Sequence, residues 1–385
     1  MVKSGPARLM REAGPGSYPA HNKSVIFMAR VLYSIRTWAA VFRPATPSEA
    51  WGLFVLVRSS SGSKERNDKA RFSNLLSPQS SLTLGAILSP SHKSACKSQD
   101  DCTDLALVID AHCHILPPSF RDRRDEIAQR DATFAALLSN PRAALATADD
   151  LLSAMDRDGI DRAVVMGMGW TDADIATEAN DYIIQAVADN PDRLSGFCSV
   201  NPVWGETAYT EAKRCIAAGL IGFGEFHADT QGFDITSVPE MAPLMELARA
   251  DTLPVLVHAS EPVGHQYPGK GSTTPEKLYR FIQNFPGNPI ICAHWGGGLP
   301  FYSLMPEVKE SLKSVYFDSA ASPFLYRPEV FAAVSDLAGA GKVLFASDYP
   351  LMDIARPLDQ ARSMGLAPDV EELLLSGNAA KLLRL

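Results

Sequence analysis

The chain has 385 residues and a net charge of −8 at pH 7, enough for one large domain plus an appendage or for two ordinary domains. The charge is unevenly spread: the first hundred residues carry a net +9, the remaining 285 a net −17. So acidic a body argues against a nucleic-acid partner, because such binding rests on neutralising phosphates. No stretch reaches the roughly 20 apolar residues of a membrane-spanning helix, which argues against a membrane partner.

Residues 1–104 are set apart as a leader. Their apolar patches, such as Trp51-Gly52-Leu53-Phe54-Val55-Leu56-Val57, have no sustained period, and Arg30, Arg36 and Arg43 interrupt the longest of them. The Ser- and Lys-rich tract from 59 to 98 reads as disordered. A basic, Ser-rich, acid-poor leader fits an organelle transit peptide, and it fits equally an upstream stretch wrongly included in the protein. The six cysteines, at 96, 102, 113, 198, 215 and 292, show no zinc-finger or redox spacing. A reducing compartment is therefore the default, and the expected location is the cytoplasm unless the leader directs the chain elsewhere.

From 105 to 385 strand-like and helical stretches alternate. The strand-like runs are 105–110, 162–168, 194–200, 220–226, 254–258, 289–294, 314–318 and 342–347. Between them lie helical patterns at 149–157, 174–188, 206–217, 238–250, 276–284 and 328–337. Thr147 stands where it can cap the first of these with Asp150, and Thr274 precedes a first-turn Pro275. Eight strands, most of them followed by a helical stretch, predict an α/β chain folded as a (β/α)8 barrel behind a disordered N-terminal extension. An open doubly wound sheet would place a Gly-rich phosphate loop after its first strand. Here that place is taken by Asp110-Ala111-His112-Cys113-His114.

His-x-His at a strand end projects both imidazoles to one face, because side chains alternate with period two. Two neutral nitrogens then converge, as a divalent metal site requires. Other metal-competent side chains close further strands: Glu225 and His227 the fourth, His258 the fifth, His294 the sixth and Asp348 the eighth. In a (β/α)8 barrel all of these fall at the C-terminal face, where catalytic groups gather.

The segments Val108-Ile109-Asp110-Ala111-His112-Cys113-His114, Val255-Leu256-Val257-His258, Ala293-His294-Trp295-Gly296-Gly297-Gly298, Phe345-Ala346-Ser347-Asp348-Tyr349-Pro350 and Ser376-Gly377-Asn378-Ala379-Ala380-Lys381 resemble the amidohydrolase superfamily. The likeness is to its amidohydrolase-related branch, which includes aminocarboxymuconate-semialdehyde decarboxylase-like enzymes, and it covers about 105–385. It implies that His112, His114, His258 and Asp348 bind one divalent metal, most often Zn2+ with Mn2+ as the alternative. It also implies that His294 and Asp348 serve as acid and base beside that metal. The lysine that many hydrolytic members carry on strand 4 is absent. Glu225 is expected to support the site or touch substrate, and it could instead bridge a second ion, as in the TatD-like nucleases. The resemblance further implies a small-molecule substrate and is compatible with a homodimer.

Hydrolysis of a small carboxylated or cyclic ester, lactone or amide is the first reading. Nonoxidative decarboxylation is the alternative, and a TatD-like nuclease comes third. A decarboxylase needs a cation for its substrate's carboxylate, and Arg121, Arg123, Arg124, Arg142 and Arg327 are the candidates. His227, His265, Tyr267, Lys270, Trp295 and Arg327 are possible substrate contacts, and Trp170 and Tyr326 possible pocket walls.

Overall fold

The computed structural model describes residues 107–385. The leader expected at 1–104, its Ser-rich tract, the boundary at 104/105, Cys96 and Cys102 all lie outside the described residues. Eight parallel strands follow one another: β1 (Ile109–His114), β2 (Arg162–Met166), β3 (Leu194–Gly196), β4 (Phe223–Phe226), β5 (Val255–Val257), β6 (Ile290–Cys292), β7 (Val315–Asp318) and β8 (Val343–Leu344). β1 to β3 and β4 to β8 form two continuous ladders. Parallel bridges Cys198–Phe223 and Cys113–Tyr349 join them at both seams. Ala111 N donates to Phe345 O (2.9 Å) and Asp348 N to His112 O (3.0 Å), so the last strand is sewn to the first. The ring has no free edge, which is the (β/α)8 barrel that the element order predicts.

The connecting helices are α1 (Ala148–Asp158), α2 (Ala173–Asp189), α3 (Glu206–Ala217), α4 (Val238–Asp251), α5 (Pro275–Asn284), α6 (Pro306–Ser311), α7 (Val330–Ala338) and α8 (Ala355–Arg362), with α9 (Asn378–Leu383) closing the chain. Thr147 and Asp150 form the expected capping box on α1, which ends at Gly159 with φ 72°, a conformation that favours glycine. Thr274 makes no side-chain cap on α5; there the first-turn proline alone presets the backbone. The sequence overlooked three short helices inserted between β1 and α1, at Ser119–Asp122, Arg124–Arg130 and Ala132–Leu138. They bury Phe120, Ile127 and Phe134 against Trp170.

Alternation along the strands divides the core into two shells. Ile109, Ala111, Val164, Met166, Leu256, Ile291, Leu344 and Ala346 fill the barrel interior. Their strand neighbours Val108, Val165, Val255, Val257, Ile290, Cys292, Val343 and Phe345 pack outward under the helices. α9 seals the N-terminal end of the barrel: Ala379 and Leu383 join the interior cluster, and Asn378 Nδ2 donates to Val343 O (2.7 Å). With that end plugged by apolar side chains, access to the interior is from the C-terminal end of the strands. No helix among the described residues is long and apolar enough to cross a membrane.

Candidate active site

At the C-terminal mouth the strand ends bring six side chains together: His112 and His114 from β1, Glu225 from β4, His258 just past β5, His294 just past β6 and Asp348 past β8. All six are buried. His112 Nε2 lies 3.1 Å from His114 Nε2 and 3.9 Å from Asp348 Oδ1, and His114 Nε2 lies 3.3 Å from Asp348 Oδ1. Glu225 Oε2 is 3.8 Å from His112 Nε2 and 3.7 Å from His114 Nε2. Its other oxygen, Oε1, faces His258 Nδ1 at 2.9 Å and His294 Nε2 at 3.5 Å.

The outer nitrogens of the four rings fix their tautomers. His114 Nδ1 donates to Gly167 O (3.0 Å), His294 Nδ1 to Ala320 O (3.1 Å) and His258 Nε2 to Gly269 O (3.1 Å). Carbonyl oxygens can only accept, so each of these nitrogens carries a proton, and in the neutral ring the opposite one offers a lone pair inward. His112 Nδ1 donates to Asp318 Oδ2 (3.0 Å), with the same result. Two lone-pair nitrogens 3.1 Å apart, with carboxylate oxygens beside them, repel one another unless a cation lies between. Donors about 2.0–2.2 Å from a shared ion stand about 3–3.9 Å from each other. The residues therefore fit a divalent metal, and carboxylates and backbone carbonyls orient the ligating imidazoles from behind.

Without an ion to balance them, the carboxylates draw protons onto the same nitrogens. Burial alone would lower the His112 pKa, but the Asp318 carboxylate and Glu225 outweigh it and hold it well above the usual imidazole value. His294 is likewise carried against its burial, by Glu225 and by the charges of Asp348 and Asp318, up to about 9. Glu225 is pushed up by burial, yet hydrogen bonds to His112, His258 and His294 hold it well below the ordinary carboxylate range. Asp348 is lowered despite burial by His114, with His294 and His112 adding to the effect. The pocket stabilises positive charge on its nitrogens and negative charge on its oxygens.

Backbone conformation sets two of these groups. His294, Trp295 and Asp348 adopt left-handed φ of 54°, 59° and 66°, an arrangement that costs about 1–3 kcal/mol each and clusters at functional sites. Asp318 Oδ1 accepts from His294 N (3.0 Å) and Ala320 N (3.1 Å), which pins the turn. Asp110 does the same between β1 and β8, accepting from His112 N (3.2 Å) and Ser347 N (3.0 Å). Asp318 and Asp110 were missed from sequence. The available signal for Asp318 was that Val315-Tyr316-Phe317-Asp318 ends in an acid just as the strand before Asp348 does.

The remaining expected contacts are placed differently. His227 stacks on His258 (ring centroids 4.1 Å apart) and donates through Nε2 to Gly269 O (3.1 Å). Burial, then the neighbouring His258, lowers its pKa to about 4. It backs the site without joining the six. Trp295 does not face a substrate: the left-handed turn swings its indole into the core, where Nε1 donates to Ser322 Oγ (3.0 Å) and the ring meets Phe331. Arg327 lies beside Glu329 with its side chain 86% exposed. His265 is exposed on the loop after β5 and offers its carbonyl to Lys270 Nζ (2.9 Å). Trp170 belongs to the cluster under the β1–α1 insertion rather than to a pocket wall, and Tyr326 is partly buried beside Phe301. Arg121 is engaged by Leu145 O and Asp150, Arg123 by Glu126 and Glu178, and Arg124 by the carbonyls of Leu138, Asn140 and Ala143. Arg142 is exposed.

An eight-stranded parallel barrel with a buried histidine–carboxylate cluster at its C-terminal mouth defines a class of barrel enzymes built to hold a divalent metal. Residues 109–385 match the sequence family described as Amidohydrolase, and the chain belongs to that family. It is similar to 2-amino-3-carboxymuconate-6-semialdehyde decarboxylase of Dictyostelium discoideum, 26% identical over 251 residues, which cover 55% of this chain and 67% of that protein. Gamma-resorcylate decarboxylase of a Polaromonas species is 23% identical over 254 residues, covering 54% of this chain and 76% of that one. Among solved structures, 5-carboxyvanillate decarboxylase of Novosphingobium aromaticivorans, complexed with manganese and 4-hydroxy-3-methoxy-5-nitrobenzoic acid, shares the fold. Its TM-score is 0.60 at 19% identity, over 74% of this chain and 97% of that one. These relatives are decarboxylases. Hydrolysis, the reaction expected first from sequence, finds no support among them, whereas the decarboxylation named as its alternative does.

Proposed function

We propose that this chain is a metal-dependent, nonoxidative decarboxylase acting on a small aromatic or conjugated carboxylic acid. The observation that carries the reading is the buried cluster at the barrel mouth, in a chain whose aligned relatives over two thirds or more of their length are decarboxylases. His112, His114 and Asp348, with Glu225 and His258, are the residues assigned to hold zinc or manganese; nitrogen and carboxylate ligands suit both. When bound, such an ion anchors the substrate's oxygens and draws electron density from them.

Decarboxylation breaks the bond between the carboxyl carbon and the ring or chain, and the electron pair left behind must be met by a proton. Asp348 and His294 are the side chains placed to carry it. Asp348 is the more accessible, with a side chain 12% exposed against 5% for Glu225 and 7% for His294. No nucleophilic serine or cysteine is required. The four cysteines among the described residues are free and buried, in keeping with a cytoplasmic, reducing location. Exposed Phe301, Tyr302, Leu304 and Met305 support a homodimer.

The test is incubation of the metal-loaded chain with a panel of hydroxybenzoic acids and of lactones, trapping CO2 separately from acid production. CO2 release is expected, with His112→Ala and Asp348→Asn losing both activity and most of the bound metal. Acid release from lactones without CO2 would overturn the reading.

A further inference from the structure

Lysine is scarce in the acidic body of this chain. The described residues contain seven, at 213, 270, 277, 309, 313, 342 and 381. Three of them, Lys309, Lys313 and Lys342, line one cavity of about 470 Å³, and Lys381 is a charged neighbour of Lys342. We propose that this cavity binds a phosphate-bearing small molecule, at a site separate from the histidine–carboxylate cluster.

Lys309 lies on α6, Lys313 in the turn Leu312–Ser314 that leads into β7, and Lys342 in the turn Ala340–Lys342 that leads into β8. The lining thus gathers where these two strands begin, whereas Asp318 and Asp348 stand at their far ends. An ammonium carries three donors, and one hydrogen bond apiece goes to the protein: Lys309 to Leu337 O (3.5 Å), Lys313 to Glu310 and Lys342 to Lys313 O. Glu310 is the single acid in the lining, against three lysines. Burial, and then the charge of Lys381, lowers the Lys342 ammonium below its usual value, the mark of positive charge without a matching acid. Ser303 gives a second, independent sign. It lines the same cavity and is only 3% exposed, yet its Oγ has no hydrogen-bond partner among the described residues. Buried hydroxyls are normally paired, and an oxyanion in the cavity would accept from this one.

The donor set selects among anions. A planar carboxylate is best held by the fork of an arginine, and no arginine lines the cavity. Ammonium point charges and a hydroxyl suit the tetrahedral oxygens of a phosphate, which point in several directions at once. The volume exceeds what a single inorganic ion fills and falls in the range of small-molecule sites, about 300–1,000 Å³. Pro306, Leu312 and Ala338 add an apolar wall, which fits an organic portion on the phosphate. None of this depends on the reaction at the barrel mouth.

The experiment uses the full chain, acetylated with acetic anhydride at increasing concentrations of phenyl phosphate, with each lysine read by mass spectrometry. Lys309, Lys313 and Lys342 are expected to be protected with one shared midpoint, while Lys213 and Lys277 are acetylated as before. Because the readout is residue by residue, phosphate held at the barrel mouth does not register. Lys313→Gln should raise the midpoint at Lys309 and Lys342 about tenfold, Ser303→Ala should raise it with circular dichroism unchanged, and Lys213→Gln should leave it where it was. Equal protection of all lysines would overturn the proposal, as would protection by NaCl at the same ionic strength or by sodium benzoate at the same concentration. Protection by inorganic phosphate at lower concentration than phenyl phosphate would keep the phosphate site and remove its organic occupant. If a variant fails to fold, the wild-type pattern decides alone.

Discussion

Asp318 accepts from two site histidines at once, from the ring of His112 and from the backbone of His294. An asparagine could keep only one of these. With its carbonyl oxygen on His294 N, its amide hydrogens would face the His112 Nδ1–H. The imidazole would then shift its proton to Nε2 and lose the lone pair that faces the metal position. Asp318→Asn is therefore expected to weaken metal binding by about 10–100-fold with the fold intact, as measured by competition against a chelating dye. Unchanged affinity would mean that His112 needs no orienting carboxylate. His112, His114, His258, His294 and Asp348 were legible in the sequence because each follows a recognisable apolar run. Trp295 was not, since only the left-handed turn decides which way its indole goes. Asp318 was overlooked because it stands behind the site rather than in it.

Strand existence was readable from the apolar runs, and strand ends less so. β8 is only Val343–Leu344 by ladder pairing, where the sequence suggests 342–347, because Phe345 to Asp348 bond to β1 and the C-terminal region irregularly. Leu256 in β5 fills the barrel interior beside Ile291 and is wholly buried. Leu256→Ala should cost about 2–5 kcal/mol, measured as a lowered midpoint in urea, and a loss under 1 kcal/mol would show that the interior relaxes around the gap. On α3, burial would raise the Glu211 carboxyl, but hydrogen bonds from Arg214 (2.7 Å) and Asn180 (2.9 Å) outweigh it and hold its pKa below the ordinary 4.5. A depressed carboxyl contributes stability above its unfolded pKa and loses it as pH falls through the folded value. The stability advantage of wild type over Glu211→Gln should thus shrink between about pH 6 and about pH 3. A difference independent of pH would reduce the role of Glu211 to packing.

At the scale of the whole molecule, the barrel followed from the count and alternation of strands, and the three short helices after β1 did not. That insertion has no fixed period to announce it; its apolar residues matter only once Trp170 is beneath them. The acidic body and the basic leader differ so much in composition that they are expected to be separable. Removing residues 1–104 should leave circular dichroism and CO2 release unchanged, and loss of folding on truncation would move the boundary upstream.

The Asp110 bridge between β1 and β8 has a consequence for how the protein is made. The cluster draws on the first, fourth, fifth, sixth and eighth strands, and its last member, Asp348, directly follows Ser347, whose N donates to Asp110 across the closing seam. Long-range closure of this kind comes late in folding. A nascent chain still on the ribosome, or one released short of β8, therefore carries an incomplete cluster. Completion of the cluster thus coincides with synthesis and closure of the whole barrel.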